Sequence, residues 1–229
     1  MSRDPGFGIR IPNPESQIPR LSPLMAIVDT GAAVQAGWKP EALASAFLDG
    51  GARLLQIRAK DIPSAELLDL TLSIVRLAHA AGAAVIVNDR ADVAFLSGAD
   101  GVHVGQHDLA PNAVRTVVGA DAIVGLSTHT LEQVDAALQR PVTYVAIGPV
   151  FGTATKVTGY NAVGVQRVRD AALRLAPGGL PLVAIGGITL DSALDVIRAG
   201  AACVAVISDL MATGDPAARV RAYLERLTV

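Results

Sequence analysis

From residue 24 to the end of the chain, short runs of apolar and β-branched residues alternate with longer stretches in which apolar positions recur at helical spacing. The runs at residues 24–28, 54–57, 84–87, 101–104, 122–125, 144–147, 182–185 and 203–206 read as strands. Between them, residues 64–81 read as a helix, because Leu67, Leu68, Thr71, Leu72, Val75 and Ala78 recur at helical spacing. Asp61 and Ser64 offer start signals for it and Gly82 a stop. Residues 131–138, 165–175, 190–199 and 216–227 repeat the pattern, and Gly119 closes a helix that begins at Pro111. About eight evenly spaced strand–helix units predict an α/β fold, a single-domain (β/α)8 TIM barrel over residues 24–229. An open, doubly wound sheet is the rival, since alternation alone does not say whether a sheet closes, but the glycine fingerprint of the dinucleotide-binding version is missing.

Composition narrows the classes. With 229 residues and 51% hydrophobic content, the chain suits one large domain. A formal charge of 19 − 21 = −2 and only 3% aromatic residues argue against a nucleic-acid surface. No apolar run approaches the roughly 20 residues needed to span a bilayer, so no membrane segment is expected. Residues 1–23 carry Pro5, Pro12, Pro14, Pro19 and Pro23 without an apolar leader block, and read as a poorly ordered extension of a cytoplasmic protein. Cys203, the only cysteine, lies in an apolar run and reads as a small buried hydrophobe, which excludes disulfides within the chain.

The candidate chemistry gathers where the apolar runs end. Gln56 and Arg58 are two apart on one strand and so point to the same side as Leu54, the barrel interior, and Lys60 continues the alternation. Asn88 and Asp89 follow a run apolar enough for a strand buried on both faces, and Asp108 stands in the same relation to the next strand. Arg58 and Lys60 supply positive charge for phosphate, while Asp89 and Asp108, on neighbouring loops, supply hard oxygen ligands for Mg²⁺. Helix capping is the competing reading for each aspartate.

Further along, Gly148 to Lys156 forms a small-residue loop with Thr153, Thr155 and Lys156, able to wrap an anion or to remain a surface loop. Ser127 ends the fifth unit, where it or Thr130 is a candidate helix cap. Gly187 at the seventh strand end, with Ile207 and Ser208 at the eighth, is suited to a second anion site, because those loops recurrently bind phosphate in this fold. Of the histidines, His79 reads as exposed on a helix, His107 as a loop residue, and His129 as lacking a triad partner. His103, inside a strand, reads as a hydrogen-bonded core residue rather than a catalyst.

Taken in order, Gln-x-Arg-x-Lys, Asn-Asp, Gly-Val-His-x-Gly-Gln-x-Asp, Gly-x-Ser, Thr-x-Thr-Lys and Ile-Gly-Gly-Ile-Thr resemble the thiamine phosphate synthase family. The resemblance spans nearly everything from Leu54 to Leu210. It implies a magnesium-dependent (β/α)8 transferase that joins hydroxymethylpyrimidine diphosphate to hydroxyethylthiazole phosphate and releases pyrophosphate. It further implies that Gln56, Arg58, Lys60, Asn88 and Lys156 hold the pyrimidine diphosphate and that Asp89 and Asp108 hold Mg²⁺. Ser127, Thr153, Thr155, Gly187, Ile207 and Ser208 are then the contacts to the thiazole phosphate or the released pyrophosphate. Arg58, Lys60, Ser127 and Lys156 are the residues expected to carry catalysis.

Gly152 departs from the family pattern, standing where a proline commonly precedes Thr-x-Thr-Lys, and the first strand and the extension match weakly. A thiazole tautomerase and a non-catalytic phosphate-binding barrel are the alternatives; the intact Gln-x-Arg-x-Lys and Gly-Gln-x-Asp sets weigh against the first, and Lys156 with both aspartates against the second. Small-molecule substrates are the expected partners, and homo-oligomerisation is compatible with such a barrel.

Overall fold

Each apolar run pairs with the next in sequence order, all parallel, and the last returns to the first. The strands are β1 (Leu24–Asp29), β2 (Leu54–Arg58), β3 (Ala84–Asn88), β4 (Gly101–Val104), β5 (Ile123–Thr128), β6 (Tyr144–Ile147), β7 (Leu182–Ile185) and β8 (Cys203–Val206). Because β1 hydrogen-bonds to both β2 and β8, the sheet is a closed barrel and the open-sheet rival falls. The computed structural model describes residues 21–152 and 161–228, so the expectations for residues 1–20 and for Thr153, Thr155 and Lys156 lie outside the described residues.

Around the barrel run α1 (Thr30–Gln35), α2 (Pro40–Asp49), α3 (Ser64–Ala80), α4 (Ala91–Ser97), α5 (Pro111–Val118), α6 (Leu131–Ala137), α7 (Gly164–Leu175), α8 (Leu190–Arg198) and α9 (Pro216–Leu227). The apolar periodicity places α3 and α5 to α9 and leaves α1, α2 and α4 unmarked. Here Asp29 caps α1 by accepting the Ala32 N–H, and Pro40 opens α2 with the fixed φ a first turn requires. α3 begins at Ser64 as expected, although Pro63 precedes it and no side chain caps it.

Outward-facing strand residues such as Val85, Val87, Val124 and Val145 pack against the helix layer, while Met25, Ile27, Leu54, Ile86 and Val183 fill the barrel. Each such side chain contributes about 1.5–3 kcal/mol by leaving water. Cys203 is buried in the inner layer as expected, and burial pushes its thiol pKa upward. Among the described residues, no helix is long and apolar enough to cross a membrane.

Several strands outrun their apolar runs. β1, β2 and β3 each continue one residue further, to Asp29, Arg58 and Asn88, so these polar groups are held on the barrel wall rather than on loops. β5 continues past Gly125 to Thr128, which puts Ser127 on the strand as well.

Candidate active site at the carboxyl end of the barrel

Strand alternation sends Asp29, Gln56, Arg58, Asn88, His103 and Ser127 toward the barrel interior. The Gln56 amide donates to the Met25 sulfur at 3.4 Å. Arg58 forms an ion pair with Asp29, which is only 5% exposed and also holds the first turn of α1. Taking two charges out of water is costly, and their mutual attraction together with the Ala32 N–H offsets much of that cost. Among the described residues the buried Arg58 Nε has no hydrogen-bond partner, so this guanidinium retains donor capacity at the barrel mouth.

Asp29 is absent from the sequence-derived site. Its signal was available, since a carboxylate directly after Leu24 to Val28 follows the same pattern as Asn88-Asp89.

Asp89 forms an ion pair with Lys60 and donates its backbone N–H to the His103 carbonyl at 2.7 Å. Its φ of +64° is a left-handed conformation uncommon outside glycine, of the kind that persists where surroundings over-determine it. Asp108 accepts the Gly105 N–H at 2.8 Å. Neither aspartate caps a helix: Arg90 precedes α4 and Ala110 precedes α5, both without a side-chain cap. The two carboxylates lie on loops after adjacent strands, β3 and β4. Among the described residues no group of three or more His, Cys, Asp or Glu side chains forms a metal cluster. A two-carboxylate set still suits Mg²⁺, which takes one or two carboxylates and completes its shell with phosphate and water.

Asn88, His103, Gly125 and Tyr144 stand in register across β3 to β6. His103 is buried and hydrogen-bonded, as the sequence suggested, with Nδ1 2.8 Å from the Tyr144 hydroxyl and Nε2 2.8 Å from Ser127 Oγ. Its ring stacks on that of Tyr144. Yet it also lines a cavity at the mouth together with Gln56, Arg58, Asn88, Ser127 and Tyr144. Burial drives the Tyr144 pKa well above the phenol range, with Gln56 acting weakly the other way. Tyr144 is the second residue missed from sequence, since a tyrosine opening an apolar strand reads as ordinary core.

That inner cavity has only about 20 Å³, and a larger one of about 480 Å³ adjoins it, lined by Gly187, Ile207, Ser208 and Asp209. Ser127 and Ile207 border both. Gly187 (φ +62°) is required there, because a Cβ would collide with the Gly152 carbonyl. Asp209 braces the wall, accepting from the Leu190 N–H at 3.1 Å, from Tyr223 Oη at 2.6 Å and from the Arg219 guanidinium. Thr130, not Ser127, caps α6. His79 is paired with Asp100, His107 is exposed, and His129 Nδ1 lies 2.6 Å from the Gly148 carbonyl.

The sequence-derived residues therefore divide. Gln56, Arg58, Asn88, Ser127 and Ile207 share the inner cavity, while Ser127, Gly187, Ile207 and Ser208 share the outer one. Lys60 and Asp89 meet each other outside the lining of both, and Asp108 sits on the next loop.

Comparison with known proteins gives this geometry a family. The sequence model for "Thiamine monophosphate synthase" matches residues 24–210. A thiamine-phosphate synthase of Anaeromyxobacter dehalogenans is 44% identical over 192 residues, covering 82% of this chain and 85% of its own. One from Roseiflexus is 42% identical over 180 residues, covering 79% and 75%. A thiamine phosphate pyrophosphorylase structure from Pyrococcus furiosus superposes with a TM-score of 0.81 at 27% identity, covering 90% of this chain and 96% of its own. The chain belongs to the thiamine monophosphate synthase family of transferases.

Proposed function

We propose that this chain condenses 4-amino-5-hydroxymethyl-2-methylpyrimidine diphosphate with 4-methyl-5-(2-hydroxyethyl)thiazole phosphate, giving thiamine phosphate and pyrophosphate. The observation that carries the reading is the polar cluster at the barrel mouth: Arg58 lies beside the Gln56 and Asn88 amides, and Ser127 and Ile207 lead from them to a cavity of about 480 Å³ built on the β7 and β8 ends. A two-substrate condensation needs that arrangement, because reacting atoms must meet while their charged tails point apart.

In this reading Gln56 and Asn88 hold the pyrimidine diphosphate, and Arg58, Lys60 and Lys156 offset charge as it accumulates on the departing diphosphate. Asp89 and Asp108 would hold Mg²⁺, which when bound supplies further positive charge against the diphosphate oxygens. The C–O bond to the diphosphate breaks first, leaving a pyrimidine-methylene cation that the thiazole nitrogen attacks. No protein nucleophile is needed. The barrel wall at Met25, Tyr144 and Ala146 limits water that would capture the cation. Ser127, Thr153, Thr155, Gly187, Ile207 and Ser208 contact the thiazole phosphate or the pyrophosphate, helped by the backbone amides that β7 and β8 loops commonly offer to phosphate. A cytoplasmic location suits such small phosphorylated substrates.

Substrate-resolved kinetics test this reading. Arg58→Ala should raise KM for the pyrimidine diphosphate about tenfold or more while leaving KM for the thiazole phosphate within about twofold, and Ser208→Ala should do the reverse. An effect of both variants on the same substrate would overturn the assignment of the two cavities.

A further inference from the structure

The inner cavity is bordered by Tyr144, His103 and Ser127, joined in a line by two hydrogen bonds. We infer that Tyr144 and His103 form a one-way relay that fixes the His103 proton on Nε2, making Ser127 a hydrogen-bond donor to the substrate. This rests on the two-cavity reading above and deepens it by naming positioning residues for Ser127.

Gln56 flanks this line beside Met25. Its amide end nearest Met25 Sδ is the nitrogen, because a thioether sulfur accepts and cannot donate. The same side chain shares the inner cavity with Tyr144. Tyr144 is 0% exposed and carries a single proton, and a buried hydroxyl that leaves its proton unshared loses stability. The acceptor is His103 Nδ1, at 2.8 Å.

An imidazole ring that accepts at Nδ1 carries its proton on Nε2. That proton points at Ser127 Oγ, 2.8 Å away. Ser127 accepts there, and its own hydroxyl proton is left to donate to a third group. Its carbonyl is engaged separately by the Gln106 amide at 2.6 Å. Since Ser127 borders both cavities, the substrate atom it meets must be an acceptor, such as a phosphoryl oxygen. Were the ring flipped to the other tautomer, the serine would donate inward to Nε2 and offer the substrate only a lone pair.

The relay is tested on the ligand-free protein by ¹⁵N NMR of the histidine rings, with His103 assigned through a His103→Gln variant. The expected spectrum has a protonated Nε2 and an unprotonated Nδ1 at neutral pH. An Nδ1-protonated or doubly protonated ring would overturn the inference. A kinetic cycle gives a second reading: Tyr144→Phe should lower kcat about tenfold when Ser127 is present, but less than about twofold in a Ser127→Ala background. Equal losses in both backgrounds would also overturn it. If the unaltered protein forms no thiamine phosphate, the synthase reading fails, and the ring spectrum alone then decides the relay.

Discussion

The Tyr144 hydroxyl reaches His103 Nδ1 across an intervening strand, because β5 contributes no side chain at that level. Gly125 occupies the register position between the two residues. A Cβ there would overlap the Tyr144 ring and hydroxyl and lie 2.5 Å from His103 Nδ1. Gly125→Ala should therefore cost about 1–3 kcal/mol through overpacking and also break the hydrogen bond. Urea denaturation measures the loss, and near-native stability for this variant would contradict the tight three-residue contact.

Asp29 and Arg58 are the most buried oppositely charged pair at the barrel mouth. Asp29→Asn keeps a side-chain oxygen to cap α1 but leaves the Arg58 cation without its counter-charge. Breaking such a pair costs about 3–5 kcal/mol when it is fully buried, so about 2 kcal/mol is expected with the Arg58 side chain 15% exposed. KM for the pyrimidine diphosphate should rise in parallel, because Arg58 loses its fixed orientation. Denaturant titration together with steady-state kinetics checks both effects, and a loss of stability with unchanged KM would confine Asp29 to a structural role.

The left-handed backbone at Asp89 separates fold from chemistry there. Asp89→Gly and Asp89→Asn are both compatible with φ +64° and should change stability by less than about 1 kcal/mol. Both remove a carboxylate proposed for Mg²⁺, so the Mg²⁺ concentration giving half-maximal turnover should rise about tenfold or more. Thermal melts and Mg²⁺ titrations of activity measure the two effects. Unchanged Mg²⁺ dependence in both variants would remove Asp89 from the metal site.

Alkaline pH should weaken the fold through buried protons. Burial raises the pKa of Tyr144, Tyr223 and Cys203 in the native chain, whereas unfolded tyrosine ionises near about 10 and cysteine near about 8.5. Above those values the unfolded chain holds fewer protons than the native one. The stabilisation is thus complete below about pH 8 and falls as pH rises, each group contributing at most about 1.4 kcal/mol per pH unit. Tyr144→Phe should flatten the slope between pH 9 and about 11 in urea titrations. An unaltered slope would mean that the phenol ionises freely in the native state.

Most of the barrel was legible because the strands are largely buried on both faces and so read as nearly continuous apolar runs. The strand ends were less so: Asp29, Arg58 and Asn88 are polar yet still on the ladder, and Gly125 resembles a terminator although β5 runs on to Thr128. Clustering of Gln56, Arg58, Asn88 and Ser127 followed from alternation plus closure. Asp29 carries the same strand-end signal as Asn88-Asp89 and only its partner Arg58 was hidden, whereas the significance of Tyr144 lies wholly in a partner on another strand, His103. Local pattern cannot encode that pairing. Helix α1 left only a weak mark because its six residues bury Ala33 alone, whereas α2 buries Leu43, Ala44 and Phe47 at helical spacing after Pro40, a signal the sequence does offer.

The most direct measurement is ³¹P NMR of the purified protein with Mg²⁺ and both phosphorylated halves. The account predicts that the diphosphate resonances vanish as pyrophosphate and thiamine phosphate grow in equal amounts, and that omitting either half stops the reaction. No pyrophosphate from competent substrates, or conversion of the thiazole phosphate by itself, would contradict it.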